Sequence, residues 1–511
     1  MKDHIMELQL EPNTAAPTAC CHLALTDRTA RFFCTAGRGM ERFVVREVKE
    51  KLEAEQVECF LGKVFFTAEP VVRKLKKIKS GERLFLLLKK EPPLTLSINR
   101  GKGFNEINKF IIGEPHCWLA ALSLWQNLQL TAKHETENQS ASKVPKRKSD
   151  TDHEPNVLKM FKEEHSLATE NVCKQLQIYP NKSSHHNPTG ENKLSVTVPV
   201  QSSEENLAPC NGHQDFGFRV SCRCSGAVAK RYASEELGRL IGIALIKKFG
   251  WKTELRAPDL EIFVHLNDDQ SVVGFSLLRV PLANRVYIRN SGLRSTVAWA
   301  MASLAEISVG AHVVDPMCGF GTILLEAAKE WPKAYYFGVD INESPLRAAY
   351  DNVRTAGLED HIGLLHASAK NLPLLSESVD IIISDMPFGK KFISIKDDFP
   401  GILLEMERIL RFGGILVLLL SQELYKQAGL HVSGIHRNGK PPIAAGGETS
   451  GAEMMNNANS EARHGNSSKI IPGSQSRPLR CLLPVESHSV SLGVTDAFIL
   501  KCKKIATPPV Q

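Results

Sequence analysis

The chain has 511 residues, of which 42% are hydrophobic and 23% charged, and it carries a formal net charge of +7. That length exceeds a single hydrophobic core and predicts about two to four domains, while the basic excess permits an anionic partner such as nucleic acid without requiring one. No apolar run approaches the roughly 20 residues of a membrane-spanning helix and the polar opening residues do not read as a signal peptide, so a soluble intracellular protein with no membrane contact is expected.

Residues 1–28 read as a disordered tail. A unit at 29–130 opens with an extended stretch around Phe32 and Phe33, a turn at Gly37 and Gly39, and a helix at 40–52 with Phe43, Val44, Val48 and Leu52 on one side. A strand at 57–67 follows. The stretch 69–90 then gives a lysine-rich helix, with Val71, Val72, Leu75 and Ile78 set against Lys74, Lys76, Lys77 and Lys79, and an apolar strand at 84–88. Residues 131–214 are poor in apolar positions and cannot bury enough surface to offset their ordering entropy, so they read as a disordered insert. Within it Lys143, Lys146, Arg147 and Lys148 resemble a basic nuclear import signal.

Order returns in a module at 215–290. It holds an alternating strand at 219–226, a helix behind Ser234 as N-cap with Leu237, Ile241 and Leu245 on its apolar face, and two extended stretches at 259–267 and 272–278. Basic residues spread evenly would be ordinary surface, but Arg219, Arg223, Lys230 and Arg231 fall on the strand and the helix start together, where they can form one positive face for phosphates. From 291 to 511 strands (312–315, 337–341, 363–367, 379–385, 414–421) alternate with helices (322–330, 344–356, 400–411). That alternation predicts an α/β domain with a parallel, doubly wound sheet. A second polar tract at 431–478 reads as a disordered insert before a final antiparallel pair of strands. The 12 cysteines include no C-x-x-C pair, so no zinc site, no other metal and no disulfide framework is predicted, and reduced thiols are expected.

The chemistry concentrates where strands end. Asp315 closes the first strand of this domain, Pro316 follows, Gly319 and Gly321 form a tight loop, and a helix opens at Thr322. Glycines let the backbone approach a ligand, and the helix start points unpaired N–H groups at it. Leu324 stands where a dinucleotide fingerprint needs a third glycine, and a carboxylate beside a pyrophosphate is unfavourable. Asp315 instead suits a cationic ligand, and S-adenosyl-L-methionine, with its ammonium and sulfonium, fits; a strand-to-helix turn without any ligand would use the same residues. Asp340 and Ile341 end the second strand about 25 residues later, where an acid accepts ribose hydroxyls. Ser368 and Ala369 follow the third strand, within reach of an adenine edge. The fourth ends in Asp385, Met386, Pro387, Phe388 and Gly389. A carboxylate and a backbone carbonyl there can accept the hydrogens of a base's exocyclic amine while an aromatic ring stacks on the base. Asp385, Pro387 and Phe388 are therefore the catalytic candidates, with Asp385 also bordering the cofactor.

Taken together, the segment from Asp315 to Ile323, the strand around Asp340 and the segment from Asp385 to Gly389 resemble the THUMP-containing RNA guanine N2-methyltransferases. The resemblance extends over nearly all the segments read as ordered. It implies a Rossmann-like class I methyltransferase domain with a C-terminal antiparallel hairpin, preceded by a ferredoxin-like unit and a THUMP RNA-binding module. It implies N2-methylguanosine formation in a small structured RNA, a U6-type small nuclear RNA ahead of a transfer RNA, by a nuclear enzyme. It also implies a heterodimer with a small zinc-binding activator subunit, for which the apolar third strand at 362–365 would be the exposed sheet edge. Ser368 departs from the acid that relatives carry after that strand, which motivates the contrary reading of a catalytically degenerate RNA-binding protein.

Overall fold

The computed structural model describes residues 29–141, 216–290, 292–387, 395–430, 481–493 and 495–506. The expected tail at 1–28, the basic run at 143–148, the insert at 431–478, and Phe388 and Gly389 lie outside the described residues.

The first part of the chain forms β1 (Ala30–Thr35), α1 (Glu41–Leu52), β2 (Glu55–Phe60), β3 (Lys63–Ala68), α2 (Val72–Leu75), β4 (Arg83–Glu91), α3 (Arg100–Ile112) and α4 (Pro115–Ala141). After the insert come β5 (Gly217–Cys224), α5 (Gly226–Ala229), α6 (Ser234–Phe249), β6 (Lys252–Thr253), β7 (Leu260–Leu266) and β8 (Ser271–Ser276). All eight strands join one sheet in the order β2-β3-β1-β4-β8-β7-β5-β6. The segments 29–130 and 215–290 thus share a sheet through the antiparallel pair β4 and β8, where Phe85 lies opposite Ser276 and Leu87 opposite Gly274. The alternation of β4 accounts for its central place. Leu84, Leu86 and Leu88 enter one apolar cluster, while Phe85 and Leu87 enter another with Phe33 and Phe263.

Several local expectations give way here. The strand expected at 57–67 is a hairpin, β2 and β3, because Gly62 takes φ +75° at its turn. The lysine-rich helix shrinks to the four residues of α2, since Glu47, fully buried, accepts the N–H groups of Lys79 and Ser80 and the Ser80 hydroxyl, holding that stretch as a turn. Ser234 is the first residue of α6 rather than its cap, and its hydroxyl accepts from Cys224 N–H. Helix α4 runs on to Ala141, into the segment expected to be disordered from 131. Among the described residues Cys34, Cys59, Cys222, Cys224, Cys318, Cys481 and Cys502 are free thiols. Among the described residues no helix is long and apolar enough to cross a membrane.

The last part forms α7 (Ser295–Leu304), β9 (His312–Asp315), α8 (Thr322–Glu330), β10 (Tyr335–Asp340), α9 (Glu343–Ala356), β11 (Ile362–His366), β12 (Val379–Asp385), α10 (Ile395–Ile409), β13 (Leu410–Ser421), α11 (Gln422–Ala428), β14 (Leu482–Leu492) and β15 (Thr495–Lys504). The seven strands run β11-β10-β9-β12-β13-β15-β14, parallel up to β13 and then antiparallel. Alternate residues feed opposite faces: Ile381, Ile383, Val417 and Leu419 enter one core, and Ile382, Leu416, Leu418 and Leu420 the other. A sheet covered on both faces is what near-continuous apolar strands require.

A polar network anchors the stretch that leads into this sheet. Arg285, 3% exposed at its side chain, pairs with Glu326 of α8 at 2.9 Å and donates to the carbonyls of Leu282 and Lys79. Tyr287 donates to the same Glu326 at 2.8 Å. Farther on, the fully buried Asn352 of α9 accepts from Arg289 and Asn290 N–H and donates to the Asn290 and Phe320 carbonyls. This asparagine fixes the glycine loop from behind.

Candidate active site

Strands β9, β10, β11 and β12 are parallel, so the residues after their C-terminal ends share one rim of the sheet, where α/β folds bind ligands. A cavity of about 510 Å³ opens there. Asp315, Pro316, Gly319, Thr322, Asp340, Ile341, Ser368, Ala369, Asp385 and Pro387 all line it. Gly321 does not; it is the N-cap of α8 at φ +75°, and with Gly319 at φ +52° it makes the left-handed turn that brings Thr322 into the wall.

The acids divide the work. Both oxygens of Asp340 take backbone donors, Gly319 N–H at 2.9 Å and Asn342 N–H at 2.8 Å, so the end of β10 braces the glycine loop. Asp315 is 1% exposed, and its Oδ1 accepts from Met317 N–H at 3.2 Å and from the Ser384 hydroxyl at 2.9 Å, which leaves Oδ2 for a ligand. Burial, reinforced by the negative Asp385 and Asp340 against those two hydrogen bonds, pushes its carboxyl up to about 8. Burial alone pushes Asp385 up to about 7, and its Oδ1 is buried without a hydrogen-bond partner among the described residues. The hydroxyl of Thr322 is likewise buried and unpartnered. Orphaned polar atoms of this kind cost free energy unless a ligand meets them.

Among the described residues the one cation in the wall, Lys370, is paired with Asp398 at 2.5 Å, so none of them offsets the acids at Asp315, Asp340 and Asp385. A ligand carrying positive charge restores balance, and a nucleoside with hydroxyl and amine groups satisfies the orphaned acceptor and donor. The donor set therefore fits S-adenosylmethionine. Ser368 lines the cavity beside Lys370, whose N–H lies 3.3 Å from the serine hydroxyl, and it brings no charge.

Reading motifs alone misses part of the wall: Gly292, Leu293, Asp398 and Ile402 also line it. Gly292 has a steric signature only the fold reveals, since a Cβ there would sit 2.9 Å from the Phe320 ring. No pattern marks Asn352, one polar residue in an amphipathic helix.

The four basic residues expected to meet RNA are not equivalent. Arg219 is engaged by Glu261 and the Leu255 carbonyl, each at 3.1 Å, and Arg231 donates to the carbonyls of Leu96 and Ser97. Arg223 and Lys230 carry no such restraint in the described structure and are exposed.

Comparison with known proteins agrees with this geometry. Residues 283–430 match the family described as "RMKL-like, methyltransferase domain". The chain is 48% identical over 491 residues to the Bos taurus "U6 snRNA (guanine-N(2))-methyltransferase THUMPD2", covering 94% of this chain and 97% of that protein. It is 27% identical to the Bos taurus "tRNA (guanine(6)-N(2))-methyltransferase THUMP3", covering 76% of this chain and 80% of that one. Among solved structures, TrmN from Thermus thermophilus superposes with a TM-score of 0.56 at 19% identity, over 93% of this chain and 99% of that one, a likeness of fold.

Proposed function

The chain belongs to the THUMPD2 family of guanine-N2-methyltransferases, and on that premise we propose that its substrate is a small nuclear RNA of the U6 kind, methylated on the N2 amine of one guanosine. The protein is an S-adenosylmethionine-dependent RNA (guanine-N2-)-methyltransferase. The observation that carries the mechanism is the buried, unpartnered Oδ1 of Asp385 in the same cavity as Asp315 and Asp340.

S-adenosylmethionine, when bound, supplies an electrophilic methyl group on a sulfonium. Asp315 would face its positive charge, Asp340 would accept from its ribose, and Ser368 and Ala369 would border its adenine. Asp385 accepts a hydrogen from the guanine amine, whose lone pair is otherwise delocalised into the ring, and so turns that lone pair toward the methyl group. Pro387 stiffens the segment that carries the Met386 carbonyl, the second acceptor, and Phe388, outside the described residues, is the aromatic side chain assigned to the base. Transfer from a sulfonium needs in-line placement more than proton chemistry, so rigidity of these strand ends matters most. Three intact carboxylates in one cavity speak against a degenerate, purely RNA-binding protein.

Two further assignments belong to the same reading. A small zinc-binding activator subunit docks on the edge strand β11 by strand addition, where Leu365 and the neighbouring Tyr335 and Phe337 of β10 are exposed. The nucleus is the working compartment, supported by Lys143, Lys146, Arg147 and Lys148. Transfer RNA is the second substrate reading, favoured by the likeness to the THUMP3 enzyme. The test is incubation with labelled S-adenosylmethionine and total small RNA, with and without the activator, followed by nucleoside identification. Label in N2-methylguanosine of U6 RNA is the expected result. Label confined to transfer RNA selects the second reading, absence of label with intact cofactor binding overturns the enzyme, and full activity without the activator refutes the partner.

A further inference from the structure

Beside the cofactor cavity lies a second cleft of about 850 Å³, and Gly292 and Leu293 border both. Six basic side chains line it: Arg38, Lys63, Arg83, Arg223, His265 and Arg294. Three are neutralised, Arg38 by Asp496 at 2.8 Å, Arg83 by Glu261 at 2.7 Å and Arg294 by Glu82 at 2.6 Å. Among the described residues the other three are in no ion pair.

Lys63, at the start of β3, is 2% exposed and takes part in no ion pair or side-chain hydrogen bond with the described residues. Arg223 and His265 are directly opposite one another in the parallel pair β5 and β7. The Nδ1 of His265 is buried and has no hydrogen-bond partner among the described residues. Burial lowers Lys63 to about 8, against the opposing charge of Asp269 and with a smaller contribution from the charge of Arg223. Burial, with Lys63 and Arg223 adding to it, lowers His265 to about 4. A buried lysine and an unpartnered imidazole beside an arginine are costly to charge even with Asp269 acting on the lysine, and an anion among them reverses that penalty. A phosphate offers acceptor oxygens for the ammonium, the guanidinium and the ring nitrogen at once.

We propose that Lys63, Arg223 and His265 form a phosphate-binding site that holds one backbone phosphate of the substrate RNA in the cleft leading to the catalytic cavity. The ferredoxin-like unit supplies Lys63 and the module at 215–290 supplies the other two, so their shared sheet builds a single site. The assignment of the ligand rests on the RNA reading above; the site itself does not.

The test uses the full chain in two arms. In the first, inorganic phosphate is titrated into wild-type protein at fixed ionic strength while the His265 imidazole is followed by NMR. Phosphate is expected to raise the pH at which His265 titrates, and an unmoved His265 overturns the site. In the second, RNA affinity is measured against salt for wild type, Lys63→Gln, Arg223→Gln and Arg38→Gln, with S-adenosylmethionine binding as the check on folding. Lys63→Gln and Arg223→Gln are each expected to lower the slope of log affinity against log salt by up to about 1, while Arg38→Gln, a neutralised cation of the same cleft, leaves it unchanged. Unchanged slopes in both variants overturn RNA as the ligand. If wild type binds no RNA although phosphate still shifts His265, the RNA reading fails and this assignment of the ligand falls with it. If either glutamine variant fails to fold, the wild-type phosphate titration decides the site.

Discussion

Replacing Asp315 by Asn turns the electrostatics of the cofactor cavity into a stability measurement. Asp315 is 1% exposed, and burial holds its carboxyl at about 8 against an ordinary value of 3.8. The folded state therefore keeps a proton that the unfolded chain releases. The stability it contributes is fully present below pH 4 and drains away as pH rises toward 8, by about 1.4 kcal/mol per unit. Between pH 4.5 and 7.5 the loss is on the order of 4 kcal/mol. Asparagine keeps the acceptor that serves Met317 N–H and the Ser384 hydroxyl and puts a neutral amide in place of Oδ2. Urea denaturation of the cofactor-free protein from pH 5 to 8 is the assay. The variant is expected to gain on wild type steadily as pH rises, and to lose the stabilisation that S-adenosylmethionine confers on wild type. A stability difference independent of pH, or a variant weaker than wild type at pH 8, would refute the reasoning.

Two other substitutions test how the cavity is supported. Glu326→Ala strands the buried Arg285 and removes the acceptor of Tyr287, so it should cost about 3 to 5 kcal/mol in a denaturation experiment. Gly338→Ala places a Cβ 2.8 Å from Leu324 and Leu364 and 2.9 Å from Cys318. Overpacking of this kind should cost about 1 to 3 kcal/mol and weaken cofactor binding measured by calorimetry, because Cys318 belongs to the cavity wall.

The methyltransferase sheet was legible because its strands are short apolar runs that end in chemistry: Asp315, Asp340, Ser368 and Asp385 each follow one. Their convergence needed only the parallel order that alternating strands and helices impose. The eight-stranded sheet was not legible, since nothing local to β4 or β8 announces that Leu87 will face Gly274 across a long insert. The same limit hid Asn352 and the pairing of Arg285 with Glu326, both long-range hydrogen bonds between unremarkable positions. It also hid Lys63, whose neighbours Arg223 and His265 come from strands far along the chain.

Asp385→Ala is the most direct test of the central claim, that this carboxylate serves the guanine amine while other residues hold the cofactor. Binding of S-adenosylmethionine by calorimetry and single-turnover transfer to U6 RNA would be measured on the same preparations. Transfer should fall at least about a hundredfold while cofactor affinity changes little. Transfer that survives, or a loss of binding equal to the loss of transfer, would contradict the account.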